Sequence, residues 1–104
     1  MTETEFNRLV DETLARIEQA IEDSGADIDY ETSAGILTLT FPDASKIVIN
    51  RQAANQELWV AARAGGFHYR WVDGAWRNTR DGSELMPALS QWVSQQAGEP
   101  VTIG

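Results

Sequence analysis

Residues 35–52, GILTLTFPDASKIVINRQ, decide the fold of this chain. In each half of the segment, apolar side chains occupy every second position, namely Leu37, Leu39 and Phe41 and then Ile47 and Ile49. Such alternation is typical of a strand with one buried face. The loop Pro42–Ser45 between the halves contains proline, aspartate and serine, which favour turns. The segment therefore predicts an antiparallel hairpin with strands over 36–41 and 46–50.

Four more strands are predicted on the two sides of this hairpin. They cover residues 27–31, 57–62, 67–72 and 75–79. Turn signals separate the strands at Thr32–Gly35, Gly65-Gly66 and Asp73-Gly74, and the last is a strong two-residue hairpin signal. No helical segment lies between consecutive strands, so the strands are expected to be antiparallel.

Two amphipathic helices flank the predicted strands. In the first, over residues 4–23, apolar residues recur every three or four positions: Phe6, Leu9, Val10, Leu14, Ile17 and Ile21. The apolar face of the second, over about 84–97, is Leu85, Met86, Leu89, Trp92 and Val93. Gly25 and Gly98 are expected to end the two helices, and the tail Val101–Ile103 is expected to lie back on the core.

The order of helix, about six antiparallel strands and helix predicts an α+β fold. Two helices can cover only one face of so wide a sheet, so the architecture is a two-layer α-β sandwich with the other face in water. A chain of 104 residues is expected to form one domain over 1–104.

Composition excludes several classes of function. The chain has no cysteine and one histidine, His68, which excludes disulfides, thiolate metal sites, a cysteine nucleophile and a zinc site built from several histidines. No apolar run approaches the roughly 18 residues of a membrane span, and the N-terminus lacks the features of an export signal, so a cytoplasmic protein is expected. The acidic balance argues against binding nucleic acid through phosphates.

The negative charge is confined to the first third of the chain. Residues 1–31 carry ten acids and two bases, whereas residues 32–104 carry six of each, so the whole formal charge of −8 belongs to the first segment. Its densest part, Glu18–Glu31 (EQAIEDSGADIDYE), contains no base. Such a concentrated field attracts cations or a basic partner, although solubility alone is an alternative explanation.

Carboxylates without thiolate or imidazole are hard ligands that suit Fe²⁺, Fe³⁺, Mn²⁺, Ca²⁺ and Mg²⁺ and discriminate poorly among them. Glu18 and Glu22 are spaced to reach one ion from adjacent helical turns, and Asp27 and Asp29 offer a second pair on one strand face. Asp11, Glu18 and Glu22 share a helix face that is predicted to point away from the apolar stripe. Neither pair closes a coordination shell, so weak, multi-site, salt-sensitive binding is expected, in the micromolar range or weaker.

Trp59 is the candidate anchor of a protein interface. Alternation places it on the sheet face opposite Leu58 and Val60, where an exposed aromatic residue is typical of a docking surface. Most tryptophans are largely buried, so a core position is the alternative. His68 is given no catalytic role, and no GxSxG, Walker or EF-hand motif is present, so the chain is not expected to be an enzyme.

Over essentially its whole length the chain resembles the frataxin family. The order of acidic helix, acidic strand, hairpin and tryptophan-containing strand carries the resemblance. Its most specific segments are Ile47–Gln52 (IVINRQ), Leu58–Ala61 (LWVA), Ala64–Gly66 (AGG) and Gln95–Glu99 (QQAGE). The resemblance implies an α-β sandwich and a role in iron–sulfur cluster assembly. It also implies weak iron binding by an acidic ridge and docking on a complex of cysteine desulfurase and scaffold protein, whose rate it alters.

Carried over by position, the resemblance implies two sets of functional residues. The metal-binding ridge is Asp11, Glu18, Glu22, Asp23, Asp27, Asp29 and Glu31. The partner-binding surface is Trp59 with Asn50, Gln52 and His68. Three positions depart from the family pattern, because Glu57 stands where glutamine is common, Arg70 where aspartate is common, and Ala54 where proline is frequent.

Three functions remain open at this stage. The first is an iron-dependent regulator or iron donor on the desulfurase–scaffold complex. The second is a ferroxidase or iron-storage protein, which an open ridge without a buried di-iron site makes the weaker idea. The third is an acidic docking module with no physiological metal. A monomer is expected, with iron-induced oligomerisation left open.

Overall fold

The computed structural model describes residues 1–104, which form two helices and six strands. In chain order these are α1 (Glu3–Ser24), β1 (Asp29–Ser33), β2 (Ile36–Thr40), β3 (Lys46–Gln52), β4 (Glu57–Ala62), β5 (Gly65–Val72), β6 (Ala75–Asn78) and α2 (Leu85–Ala97). A 3-10 turn, Ala53–Asn55, joins β3 to β4. Each strand is antiparallel to the next, so β1 and β6 are the edges of one sheet. The predicted α+β sandwich is confirmed.

The core lies between the two helices and one face of the sheet, where twenty buried apolar residues form a single cluster. The helices contribute Phe6, Val10, Leu14, Ile17, Ile21, Leu85, Leu89 and Val93. The strands contribute alternate residues, such as Leu37 and Leu39 of β2 opposite Ile49 and Ile47 of β3. None of the apolar residues on the other sheet face is buried, and we call that surface the open face.

Local sequence sets the ends of the helices. The hydroxyl of Thr2 accepts a hydrogen bond from the Glu5 amide while the Glu5 carboxylate accepts from the Thr2 amide, which closes a capping box at α1. Gly25 and Gly98 adopt left-handed backbone angles after α1 and α2, as predicted. The predicted contact of the tail is confirmed too, because Val101 and Ile103 are buried. None of the helices combines the length and the apolar character that crossing a membrane requires.

Several predicted boundaries are wrong, and three of the differences affect the open face or the acidic segment. Gly65-Gly66 is not a turn: both glycines belong to β5, opposite Ala62 and Ala61, and the turn is formed by the two residues before them. The first strand runs over Asp29–Ser33 rather than 27–31, so Thr32 and Ser33 pair with β2 and the predicted turn shrinks to Ala34 and Gly35. β3 extends to Gln52, because that residue pairs with the first residue of β4.

The β1–β2 turn provides a test of backbone strain. Ala34 and Gly35 both have positive φ angles, of 53° and 78°. A side chain at Gly35 would put its Cβ 3.3 Å from Nε of Arg51, so Gly35→Ala is expected to destabilise the protein by about 1 kcal/mol. Ala34→Gly relieves the same kind of strain and is the matched control, expected to keep or slightly raise stability. Urea unfolding measures both, and equal midpoints for the two variants would contradict the argument.

Candidate functional site

The seven acids of the predicted ridge lie along one edge of the molecule, on α1, on β1 and on the loop between them. We call this region the acidic edge: Asp11, Glu18, Glu22, Asp23, Asp27, Asp29 and Glu31. Among them only Asp11 forms an ion pair within the protein. Most of the edge therefore presents uncompensated negative charge to solvent.

The helical acids of this edge contact the strand beside them. The Thr32 hydroxyl donates to Oε2 of Glu18 over 2.6 Å, and the Tyr30 hydroxyl donates to Oε1 of Glu22 over 2.5 Å. The pKa of Tyr30 is raised, chiefly by this hydrogen bond to Glu22 and also by burial and the nearby carboxylates. This helix face lies outside the apolar stripe, as predicted, and its carboxylates also reach side chains of β1.

Asp11 differs from the other acids of the edge. Its carboxylate pairs with Nη2 of Arg51, a residue of β3 whose Nη1 donates to Oδ1 of Asn7 over 3.0 Å. The Arg51 side chain is 21% exposed, so this link crosses from the sheet to α1 at a partly buried position. Asp11 stays a predicted ligand, but it would have to leave an ion pair to bind a metal.

The strand acids face the opposite way from the helical ones. Tyr30 and Thr32 point towards α1, so alternation along β1 turns Asp29 and Glu31 to the open face, beside Thr40 and Thr38. Nowhere do three or more histidine, cysteine, aspartate or glutamate side chains come together as a metal-holding group. Chemically, the acidic edge offers separate one- or two-carboxylate sites for hydrated cations.

The predicted partner residues occupy the middle of the open face. Asn50, Trp59 and His68 are direct neighbours on β3, β4 and β5. The rings of Trp59 and His68 stack, with centroids 4.4 Å apart and planes within 6°. Gln52 lies in the next row, opposite Glu57. The structure thus brings the four predicted residues onto one surface, and Trp59 is half-buried outside the core cluster.

Glu57 is the residue of this surface that sequence reasoning missed. Its side chain is only 8% exposed, although it lies on the open face. The Trp59 indole N–H donates to Oε1 over 2.9 Å, Nη2 of Arg70 donates to Oε2 over 2.6 Å, and Nδ1 of His68 is 3.6 Å from Oε1. The two departures at Glu57 and Arg70 have opposite charges, and this complementarity was the available signal.

The bonds to Glu57 predict a pH dependence of stability. The Trp59 indole first, and then Arg70 and His68, hold the pKa of Glu57 below its ordinary value despite burial. A carboxylate with a lowered pKa stabilises the fold above its unfolded pKa of about 4.3, and that contribution disappears as the pH falls through the folded value. As the pH falls from neutral through the folded value, the wild type is expected to lose more stability than Glu57→Gln does, because only the wild type carries the titrating carboxylate. Urea unfolding at several pH values measures this, and parallel curves would contradict it.

A shallow hollow lies beside Trp59 on the open face. Val48, Ala61 and Gly66 form its floor, one cross-strand row away from the Trp59–His68 stack. The backbone angles of Gly66 do not demand glycine, and an added Cβ would meet no heavy atom within 4 Å. Gly66 therefore keeps open a space next to an aromatic side chain, as a docking surface requires.

Comparison with known proteins shows what this chain is similar to. Residues 1–99 match the model of the frataxin-like domain. The chain is 51% identical over 104 residues to the "Iron-sulfur cluster assembly protein CyaY" of Dechloromonas aromatica, covering 99% of each chain. A solved frataxin from Psychromonas ingrahamii superposes with a TM-score of 0.92 at 38% identity, over 98% of this chain and 97% of that one. A trimeric yeast frataxin, solved in complex with ferrous iron, gives 0.72 at 26% identity over 95% and 88%.

Proposed function

The chain belongs to the frataxin family, and from this premise we propose that it is an iron–sulfur cluster assembly protein. It docks on the complex of cysteine desulfurase and scaffold protein and acts there as an iron-dependent regulator or iron donor. It binds Fe²⁺ or Fe³⁺ weakly at the acidic edge, where other divalent cations compete, and it works in the cytoplasm as a binding protein rather than an enzyme.

The observation that carries this proposal is the uncompensated charge of the acidic edge. Six of its seven carboxylates have no basic partner within the protein. Carboxylate oxygens are ligands that iron accepts, and a hydrated ion can bridge a pair such as Glu18 and Glu22 from adjacent turns. The same field attracts the basic surface of a protein, so metal and partner compete for it.

A second candidate is an acidic docking module without physiological metal. Two observations favour it: the edge has no three-ligand metal group, and Glu18 and Glu22 already accept hydrogen bonds from Thr32 and Tyr30. An iron-storage role has weaker support, since it would need iron-induced assembly. The trimeric state of the yeast relative makes sedimentation with and without iron a useful companion measurement.

A charge-matched pair of variants tests the proposal. Glu18→Gln, Glu22→Gln and Asp23→Asn together remove three charges from the acidic edge. Asp73→Asn, Glu84→Gln and Glu99→Gln remove three from exposed positions outside it. The first variant is expected to weaken binding of both Fe²⁺ and desulfurase about tenfold at low salt, and the second less than twofold.

Amide chemical shifts record both ligands residue by residue. We expect anaerobic Fe²⁺ and purified cysteine desulfurase each to perturb residues 18–31. If only desulfurase does so, the acids are a docking surface and the iron role is withdrawn. If the edge variant binds both ligands like the wild type, the acidic edge is not the site.

A further inference from the structure

We propose that Arg70 is a specificity-determining residue of the open face, and that its guanidinium binds a carboxylate of the protein that docks over Trp59. The inference rests on the proposed function, because it assigns a chemical partner to one point of the same docking surface. It concerns a position at which this chain departs from the pattern expected of the family.

The Trp59 indole has no free hydrogen-bond donor. Its only hydrogen-bond donor, the ring N–H, is already bonded to the nearly buried carboxylate of Glu57. Trp59 can therefore offer a partner its ring surface but no polar group. Any charged or hydrogen-bonded recognition beside it must come from a neighbouring side chain.

Arg70 is that neighbour. Its side chain is 57% exposed, and the bond from Nη2 to Glu57 is its one hydrogen bond within the protein. A guanidinium has five N–H donors in a fixed planar arrangement, so several remain for a ligand. Because Glu57 holds one end of the group, Arg70 is pre-organised and loses less side-chain freedom on binding.

The free N–H donors of Arg70 select an anionic ligand. Arg77 of β6 is directly opposite Arg70, and its own donors reach the carbonyl oxygens of Val72 and Gly82. Glu57 and Glu84, the latter in a backbone bridge with Arg77, accompany these two guanidinium groups, so Arg70 contributes free N–H donors rather than an excess of charge. Planar carboxylates match the guanidinium geometry, so an aspartate or glutamate side chain of the partner fits.

This arrangement gives the docking surface two contacts of opposite sign. The acidic edge attracts basic groups of the partner, whereas Arg70, on the other side of the Trp59–His68 stack, attracts an acidic one. Opposite contacts at two separated points specify one orientation and penalise the reversed one.

The test compares Glu57→Gln with the double variant Glu57→Gln/Arg70→Gln. In both, residue 57 is neutral and can still accept the Trp59 N–H, so they share the loss of the Arg70–Glu57 ion pair and differ in whether a guanidinium is present at position 70. Calorimetric titration against the purified desulfurase–scaffold complex is expected to show the double variant binding about tenfold more weakly. The control is Arg63→Gln in the Glu57→Gln background, which removes an equal charge at the β4–β5 turn and is expected to change affinity less than twofold.

The outcomes separate this inference from the proposed function. Equal affinities of the single and double variants overturn the role of Arg70 while leaving docking through Trp59 intact. Failure of the wild type to bind the complex overturns the proposed function and this inference with it. If the protein alone forms a dimer that the double variant cannot form, the open face binds a second copy and the inference is wrong.

Discussion

Trp59→Ala is expected to weaken docking on the desulfurase–scaffold complex about thirtyfold or more, which corresponds to about 2 kcal/mol. The indole is half-buried at the centre of the open face, stacked on His68 and bordered by the hollow over Gly66. An aromatic side chain that is already held in position loses little conformational freedom on binding, so most of its contact area contributes to affinity. Calorimetric titration of the complex with wild type and variant measures the difference.

The stability of the same variant decides what a loss of docking means. Trp59 lies outside the core cluster, so its replacement is expected to lower the free energy of unfolding by only about 1 kcal/mol, mainly through the lost bond to Glu57. A loss of several kcal/mol would show that Trp59 is a core residue. That result would remove the main argument for an interface at this face.

Gly66→Ala tests the surface without disturbing Trp59. The substitution meets no strain and no close contact, so the fold is expected to be as stable or slightly more stable. Its methyl group enters the hollow beside the Trp59–His68 stack, where we expect it to weaken docking about fivefold, about 1 kcal/mol. Wild-type affinity in this variant would mean that the partner does not enter the hollow.

The strands could be predicted because apolar residues alternate with polar ones within each local segment. The inward residues of β2 and β3 alternate without interruption. In the structure these inward residues pair with one another, Leu37 with Ile49 and Leu39 with Ile47. The glycines at 65 and 66 predict a turn because glycine marks turns more often than it marks strands. Their pairing with Ala62 and Ala61 depends on β4, which no local signal reports.

Hydrogen bonds between polar residues far apart in the chain could not be predicted from local sequence patterns. In the sequence, Gln96 belongs to the segment Gln95–Glu99, and no contact is predicted for it. The structure shows it buried, accepting from the Arg63 amide and donating to the Ser45 hydroxyl and the Lys46 carbonyl, at separations of 33, 51 and 50 residues. Glu57 is a different case, since its main partners lie on its own strand and on the next one, and the opposite charges of Glu57 and Arg70 were the available signal.

The position of the acidic edge in the sequence could be predicted from composition, but the orientation of its side chains could not. Counting charges located it, because all the excess negative charge lies in residues 1–31. Composition could not predict that the helical acids and the strand acids face different ways. That arrangement depends on the orientation of β1 relative to α1, in which Tyr30 and Thr32 face Glu22 and Glu18. The alternation along β1 was predicted, but the face of that strand against which α1 packs was not.

Thr13→Val is expected to destabilise the fold by about 2 kcal/mol, although the two side chains have nearly the same shape. Thr13 is 5% exposed on α1, where its hydroxyl donates to the Leu9 carbonyl over 2.7 Å and accepts from the Trp76 indole over 2.8 Å. Valine leaves the N–H of Trp76, itself 4% exposed, buried without a partner. Thermal unfolding is expected to show a midpoint lower by about 10 °C, since about 1 kcal/mol shifts a domain of this size by 4–8 °C.

A double-mutant cycle with Trp76→Phe isolates the hydrogen bond from the change in packing. Phenylalanine has no ring N–H, so in that background the Thr13 hydroxyl has no indole donor to satisfy. Thr13→Val is then expected to lower the free energy of unfolding by less than about 0.5 kcal/mol. The difference between the two backgrounds is the coupling between α1 and β6. Equal effects in both would mean that valine acts through packing alone, and that the bond from Trp76 contributes nothing to holding the acidic helix on the sheet.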